Sequence, residues 1–514
     1  MNQPLHESHR YRNSCVARGE TFRPLGAWVM RQNVKSIFAL KLRLTLAGLL
    51  SAWLTATAAE PTFWSWAKTP PMGWNSWDCY GAGVCESNVL ANADYMARHL
   101  KPHGWDIITI DIQWYEPLAH TTEYRRGAVL EMDANGRLLP ATNRFPMTAA
   151  TRSFKPIADY LHTKGLRFGL HLMRGIPRQA VDRDNSPILG TAYTAAEIGN
   201  KRSTCPWNTD MYGVDTSKPG AQEYYDSVFA LLASWDLDYV KVDDLSSPYH
   251  KDEIEAIRKA IDRSGRPIVL STSPGATPVS EGEHIQTQAN LWRISNDFWD
   301  DWRGLYAQFA RLDRWSPFRG PGHWPDADML SLGNVRAWQT TGDWTHFTKD
   351  EQFTLMTLWC IVRSPLIMGG NMPKNDEFTL ALLTNDEVLA VNQNSANNRQ
   401  LFSTSNAVAW VADVPGSKDK YVALFNTAPA PAPGGRRGFD GLEGTAPAST
   451  NAPAADLGTT EPRDISVSFA EIGVAGTAKV RDLWNHKDLG AVTDKLTQAI
   501  NSHGAGLYRV QPQS

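Results

Sequence analysis

Cysteine is scarce in this chain, five in 514 residues. So few cannot staple a chain of this length into a disulfide framework. No Cys/His spacing matches a metal site, and neither a P-loop nor a GxGxxG fingerprint is present. No metal or other cofactor is therefore expected. Charge of one sign is also lacking. Lys+Arg number 51 against Asp+Glu 54, a net −3, which gives no footing for nucleic acid or an anionic membrane as partner. No apolar run reaches the roughly 20 residues that span a bilayer. What is abundant is tryptophan, 20 residues, many beside Asp, Asn or Gly. Flat apolar faces next to polar groups suit sugar rings, although any single Trp is as readily a core residue.

The first residues read as a targeting segment. Lys41-Leu-Arg is a basic start, Leu44 to Leu54 an apolar run, and Ala56-Thr57-Ala58 a small-residue cleavage pattern. Residues 1–59 are read as an extension plus signal peptide, with Met30 the better start. The expectation is export to the periplasm or beyond, with no membrane span after cleavage. Four cysteines follow: Cys79, Cys85, Cys205 and Cys360. Cys79 and Cys85 are near enough in sequence to pair, which spacing alone leaves open. The oligomeric state is open as well.

Residues 60–391 alternate short apolar runs with helical periodicity. Strands are expected at Met72–Trp77, Asp106–Asp111, Arg167–Leu172, Tyr239–Asp244, Pro267–Thr272 and Trp292–Ser295, with weaker ones near His323–Asp326 and Pro365–Gly369. Helices are expected at Glu86–Leu100, Phe154–Lys164, Ala221–Trp235, Lys251–Arg263 and Asp350–Val362. Eight strands alternating with helices over some 300 residues predict an α/β fold, a (β/α)8 TIM barrel. Residues 392–514 read as a C-terminal antiparallel β-sandwich, interrupted near 428–463 by a Pro/Ala-rich insert without packed structure. Asp111, Asp243 and Asp297 fall at or just past three strand ends, the face where such barrels place active sites. One such Asp could simply cap the next helix; three sharing the pattern favour a site.

Ordered blocks extend that reading. Thr69-Pro-Pro-Met-Gly-Trp-Asn-Ser-Trp77 is followed by Gly104-Trp-Asp-Ile-Ile-Thr-Ile-Asp111, Tyr239-Val-Lys-Val-Asp243 and Trp292-Arg-Ile-Ser-Asn-Asp297. Then come Gly320-Pro-Gly-His-Trp-Pro-Asp-Ala-Asp-Met-Leu330, Val391-Asn-Gln393 and Val480-Arg-Asp-Leu-Trp484. The set resembles glycoside hydrolase family 27, the family of α-galactosidases and α-N-acetylgalactosaminidases. The resemblance implies a retaining exo-glycosidase acting on an oligosaccharide or a polysaccharide side chain, α-D-galactoside first. It implies Asp243 as nucleophile and Asp297 as general acid/base, because retention needs one carboxylate to attack and one carboxyl to donate a proton. Lys241 would keep Asp243 ionised, while burial and the charge of Asp243 would keep Asp297 protonated. Asp111 and Arg293 would bind hydroxyls, and Trp77 would form the pocket floor. His171, and Arg174 beside it, are polar groups at the correct barrel face without a family motif. Asp244 directly follows Asp243, so on a strand it points the opposite way, and Asp300 and Asp301 match family positions that follow the acid/base without its role.

Two departures bear on the sugar. Ile112 stands where many relatives carry a second Asp that helps read the axial 4-hydroxyl. Thr272-Ser273-Pro274-Gly275 replaces a Cys-Glu-Trp motif whose Glu reaches the 2-hydroxyl, which makes Ser273 a candidate binding residue. Other glycones known in the family therefore stay open: α-N-acetylgalactosaminide, β-L-arabinopyranoside and isomaltose-type glucoside. A catalytically dead carbohydrate-binding protein is the remote alternative. Leu245 replaces a family cysteine, so the disulfide found there in relatives is absent.

Overall fold

A computed structural model describes residues 60–338, 343–430 and 461–513. The targeting segment and most of the Pro/Ala-rich insert lie outside the described residues.

Eight parallel strands follow one another around a barrel: β1 Met72–Asn75, β2 Ile107–Ile110, β3 Arg167–Met173, β4 Tyr239–Asp243, β5 Val269–Thr272, β6 Leu291–Arg293, β7 Trp324–Asp326 and β8 Leu366–Met368. Their order in the sheet is β7-β6-β5-β4-β3-β2-β1-β8. A parallel bridge between Leu330 and Met368 joins the two ends. All eight strands sit where the alternating pattern places them. β2 shows why: Ile107, Ile108, Thr109 and Ile110 are all buried, as a parallel strand covered on both faces requires. Glycine is needed where neighbouring strands approach closely. A Cβ on Gly169 would lie 2.4 Å from Thr109 Oγ1.

The helices cover the outside of the barrel. Lys251–Arg263 buries Ile254, Ile257, Ala260 and Ile261, one stripe at helical spacing. It packs beside Ala221–Ser234. The predicted helix at Glu86–Leu100 divides into an α-helix, Glu86–Tyr95, and a π-helical turn, Met96–Leu100. A further helix, Trp302–Trp315, was not legible in the sequence; Asp301 caps it by accepting from the Gly304 amide at 2.9 Å.

Eight antiparallel strands make up the sandwich: β9 Ala396–Ser403, β10 Ala407–Asp413, β11 Lys420–Asn426, β12 Arg463–Ser468, β13 Thr477–Asp482, β14 Lys487–Thr493, β15 Lys495–Ile500 and β16 Ala505–Pro512. Six form one sheet in the order β9-β10-β11-β16-β13-β14, and β12 pairs with β15. Val411, Val422, Leu424, Ile465, Val467 and Leu496 meet in its core. The helix Lys349–Val362 packs against β11 and β16 from the barrel side. Among the described residues, no helix is long and apolar enough to cross a membrane. The four described cysteines, Cys79 and Cys85 included, are free thiols.

Candidate active site

The C-terminal ends of the strands surround a cavity of about 720 Å³. Trp77, Asp111, Lys241, Asp243, Arg293 and Asp297 all line it. Side chains alternate along a strand, so Tyr239, Lys241 and Asp243 share the inward face of β4. Lys241 is in register with His171 on β3 and Ser271 on β5.

Lys241 organises the floor. Its Nζ donates to Asp111 Oδ2 at 3.0 Å and lies 3.8 Å from Asp243 Oδ1. Asn75 Nδ2 donates to the same Asp111 oxygen at 2.7 Å, and the Ile112 amide donates to Oδ1 at 2.8 Å. Burial works against the charge on Lys241, but Asp111 and Asp243 outweigh it and raise its pKa above the ordinary lysine value. Burial likewise opposes the charge on Asp243. Lys241, His171 and Arg293 together overcome it and hold that carboxyl below the usual range. Asp243 is thus an ionised, poorly hydrated carboxylate, which is a nucleophile's state.

Arg293 organises the opposite wall. Its Nη2 donates to Asp297 Oδ1 at 3.2 Å and lies 2.7 Å from Asp328 Oδ2. Asp328 also accepts from the Phe298 amide at 2.7 Å. The expected burial of Asp297 is not found: its side chain is 58% exposed. It stands in the loop beyond β6 rather than on the strand, so it occupies the cavity's rim.

Two further placements correct the sequence reading. His171 does not line the cavity. It is fully buried beneath it, with Nε2 3.0 Å from Asp243 Oδ2. Ser273 is also buried; its Oγ accepts from Arg293 Nη1 at 3.4 Å, while Pro274 and Gly275 face the cavity. Both residues lie against charged groups that line the cavity, His171 against Asp243 and Ser273 against Arg293. The three acidic residues set aside in the sequence have other partners. Asp244 pairs with Arg174 at 2.7 Å, Asp300 pairs with Arg336, and Asp301 is the helix cap.

The structure adds wall residues that sequence reasoning missed. Tyr124 stacks on Trp77 with ring centroids 6.0 Å apart, and Trp207 abuts Tyr124 at 5.7 Å. Tyr124 comes from the long stretch after β2, and Trp207 from the short connection between the paired strands Gly199–Thr204 and Met211–Val214, with no periodicity to mark either. Asp78 and Asp328 sit beside or within the quoted blocks, and their acidity was the available signal.

Asp78 leads to a prediction. Ser331 Oγ donates to its Oδ2 at 2.6 Å. Burial pushes the carboxyl up to about 8; Ser331 opposes this, and Asp328 and Asp297 add to it. Burial also raises Asp326, with Asp328 adding, to about 6. Carboxyls raised by folding hold protons that the unfolded chain has released. Their contribution is complete below the ordinary carboxylate value and is lost as pH rises through the folded value. Thermal unfolding midpoints should therefore fall between about pH 5 and about pH 8, and Asp78→Asn should flatten that fall. An unchanged slope in the variant would place the effect elsewhere.

Comparison with known proteins agrees with this geometry. A family model described as "Alpha galactosidase A" matches residues 190–394, and one described as "Alpha galactosidase C-terminal beta sandwich domain" matches 404–510. A family 27 β-L-arabinopyranosidase from Geobacillus stearothermophilus, solved in complex with arabinose, is 47% identical, with 89% of this chain and 100% of that chain covered and a TM-score of 0.81. An α-galactosidase from Cyamopsis tetragonoloba is 26% identical over 87% of each chain. Alpha-galactosidase A from Cellvibrio japonicus is 29% identical over 74% of this chain and 81% of the relative. An ordered set of motifs, a barrel-end cavity that brings Asp243 and Asp297 together and these likenesses converge: the chain is a glycosidase and belongs to glycoside hydrolase family 27.

Proposed function

We propose that this enzyme removes a terminal galacto-configured pyranose by double displacement, with Asp243 as nucleophile and Asp297 as general acid/base. The observation that carries this reading is the ionised Asp243 sharing one cavity with Asp297. Asp243 attacks the anomeric carbon while Asp297 protonates the departing oxygen. Asp297 then takes a proton from the water that releases the sugar. The rim position of Asp297 suits this exchange, because the aglycone leaves and water enters on that side. Asp111, Lys241 and Arg293 orient ring hydroxyls, and Trp77 offers a ring face.

Both α-D-galactosides and β-L-arabinopyranosides fit this reading, the second with the higher kcat/KM. The two sugars share ring configuration, and arabinopyranose lacks only the exocyclic hydroxymethyl group. Ile112 lines the cavity and is buried. The exocyclic hydroxyl, which only the galactoside carries, would go unpaired if turned towards it, at a cost of about 1–3 kcal/mol, or roughly 5- to 150-fold. The 47% identity to the arabinopyranosidase supports the same preference.

A panel of p-nitrophenyl glycosides, with NMR of the first-formed anomer, tests the proposal. Turnover of neither sugar, turnover only of an N-acetylgalactosaminide or glucoside, or an inverted product would each reject it. Ile112→Asp should raise the galactoside-to-arabinopyranoside ratio of kcat/KM about tenfold by restoring an acceptor. An unmoved ratio would remove Ile112 from sugar selection.

Export is proposed on the pattern of Lys41 to Ala58. N-terminal sequencing of the protein recovered outside the cytoplasm would test it, with a start near Ala59 or Glu60 expected.

A further inference from the structure

Asp328 belongs to a quoted block, Gly320 to Leu330, for which the mechanism above has no use. It is buried, lies just past β7 and lines the cavity. Its backbone is left-handed, φ +83°, a conformation unusual for a residue with a side chain. One oxygen, Oδ2, meets both the Arg293 guanidinium at 2.7 Å and the Phe298 amide at 2.7 Å. Phe298 directly follows Asp297, and Arg293 is the cation that touches Asp297. Asp328 therefore holds the two groups that place the Asp297 carboxyl.

We propose that Asp328 is a positioning residue for the general acid: it anchors the loop carrying Asp297 and balances the charge of Arg293, so that Asp297 can take up a proton. This rests on the assignment of Asp297 as acid/base. The physical argument concerns charge. An uncompensated guanidinium within hydrogen-bonding distance favours the ionised carboxyl, typically by about 1–3 pH units. An acid catalyst held in that way would have no proton to give at neutral pH. Burial pushes the Asp328 carboxyl up and Arg293 pulls it back down; with Asp328 engaged at 2.7 Å, Arg293 is shared between two carboxyl groups and its pull on Asp297 is reduced. The other titratable groups facing this pair are Asp243, Asp326, Lys241 and Asp78. None of these substitutes for Asp328: Lys241 is cationic, and Arg293 has no ion pair with Asp243, Asp326 or Asp78 among the described residues.

Leaving-group dependence tests the proposal in the full-length enzyme. Proton donation matters little for a 2,4-dinitrophenyl leaving group and greatly for an alkyl or sugar one. Asp328→Asn keeps the shape and removes the charge. Its loss in kcat/KM should be at least about tenfold greater for a methyl glycoside than for the dinitrophenyl glycoside. The alkaline limb of its kcat/KM profile should move down by about one pH unit, and Asp328→Glu should restore much of that limb. An equal loss for all leaving groups with an unmoved limb would overturn the proposal. Asp297→Ala is the parallel control. If it too shows no leaving-group dependence, the acid/base assignment fails and this inference falls with it. Circular dichroism reports whether Asp328→Asn folds; if it does not, Asp328→Ser is measured in its place against the same two outcomes.

Discussion

Asp243→Asn is expected to lower kcat/KM by at least roughly 10⁴-fold, about 5.5 kcal/mol of transition-state stabilisation. Asparagine has nearly the same shape and can still sit against Lys241 and His171. What it lacks is the negative charge that the proposed double displacement needs at the anomeric carbon. The environment is built for that charge, with Lys241 Nζ at 3.8 Å, His171 Nε2 at 3.0 Å and Arg293 lining the same cavity. The loss should therefore appear in kcat more than in KM. The check is turnover of an activated aryl glycoside, with circular dichroism to confirm the fold. Asp243→Ala with added azide should regain part of the activity and yield a glycosyl azide of inverted configuration. Retention of more than about one percent of activity in Asp243→Asn would exclude this residue as nucleophile.

Arg174→Ala is expected to be the most destabilising single change, by about 3–5 kcal/mol, because it strands two buried carboxylates. Arg174 is buried and joins Asp244 at 2.7 Å, Glu253 at 2.6 Å and Ser203 Oγ at 3.0 Å. Glu253 is further held by the Tyr225 hydroxyl and the Val214 amide. The network ties β3, β4, the helix Lys251–Arg263 and the side loops together. It also reaches the chemistry, since the Arg174 amide donates to the Asp243 carbonyl at 2.9 Å and Asp244 is the next residue. Urea unfolding should show a lower midpoint, with reduced kcat under conditions where the variant remains folded. A midpoint within about 0.5 kcal/mol of the parent would mean that water or rearrangement replaces the guanidinium.

The fold was largely legible because the barrel's pattern is local. β-Branched runs such as Ile107–Ile110 and stripes such as Ile254, Ile257 and Ile261 announce their elements within a dozen residues. The strands that escaped notice are those with little apolar signal. β14, Lys487–Thr493, is largely exposed, and β9 holds Asn, Arg and Gln among its eight residues. They are strands because a neighbour supplies their hydrogen bonds, and no window of sequence contains that neighbour. The site divided in the same way. Asp111, Asp243 and Asp297 were visible as acidic strand ends. Tyr124 and Trp207 were not, because irregular segments between the barrel elements bring them to the mouth.

Residue order by itself determined the barrel-then-sandwich architecture, the two carboxylates and the departures at Ile112 and Ser273. These are properties of spacing and residue type. Tertiary structure decided what each polar group faces. It put His171 and Ser273 under the site instead of in it, left Asp297 at the rim, and set Asp328 between Arg293 and the Phe298 amide. The physical reason is that charge and hydrogen bonding act over a few ångströms in space, and the groups that meet here lie up to 130 residues apart in the chain.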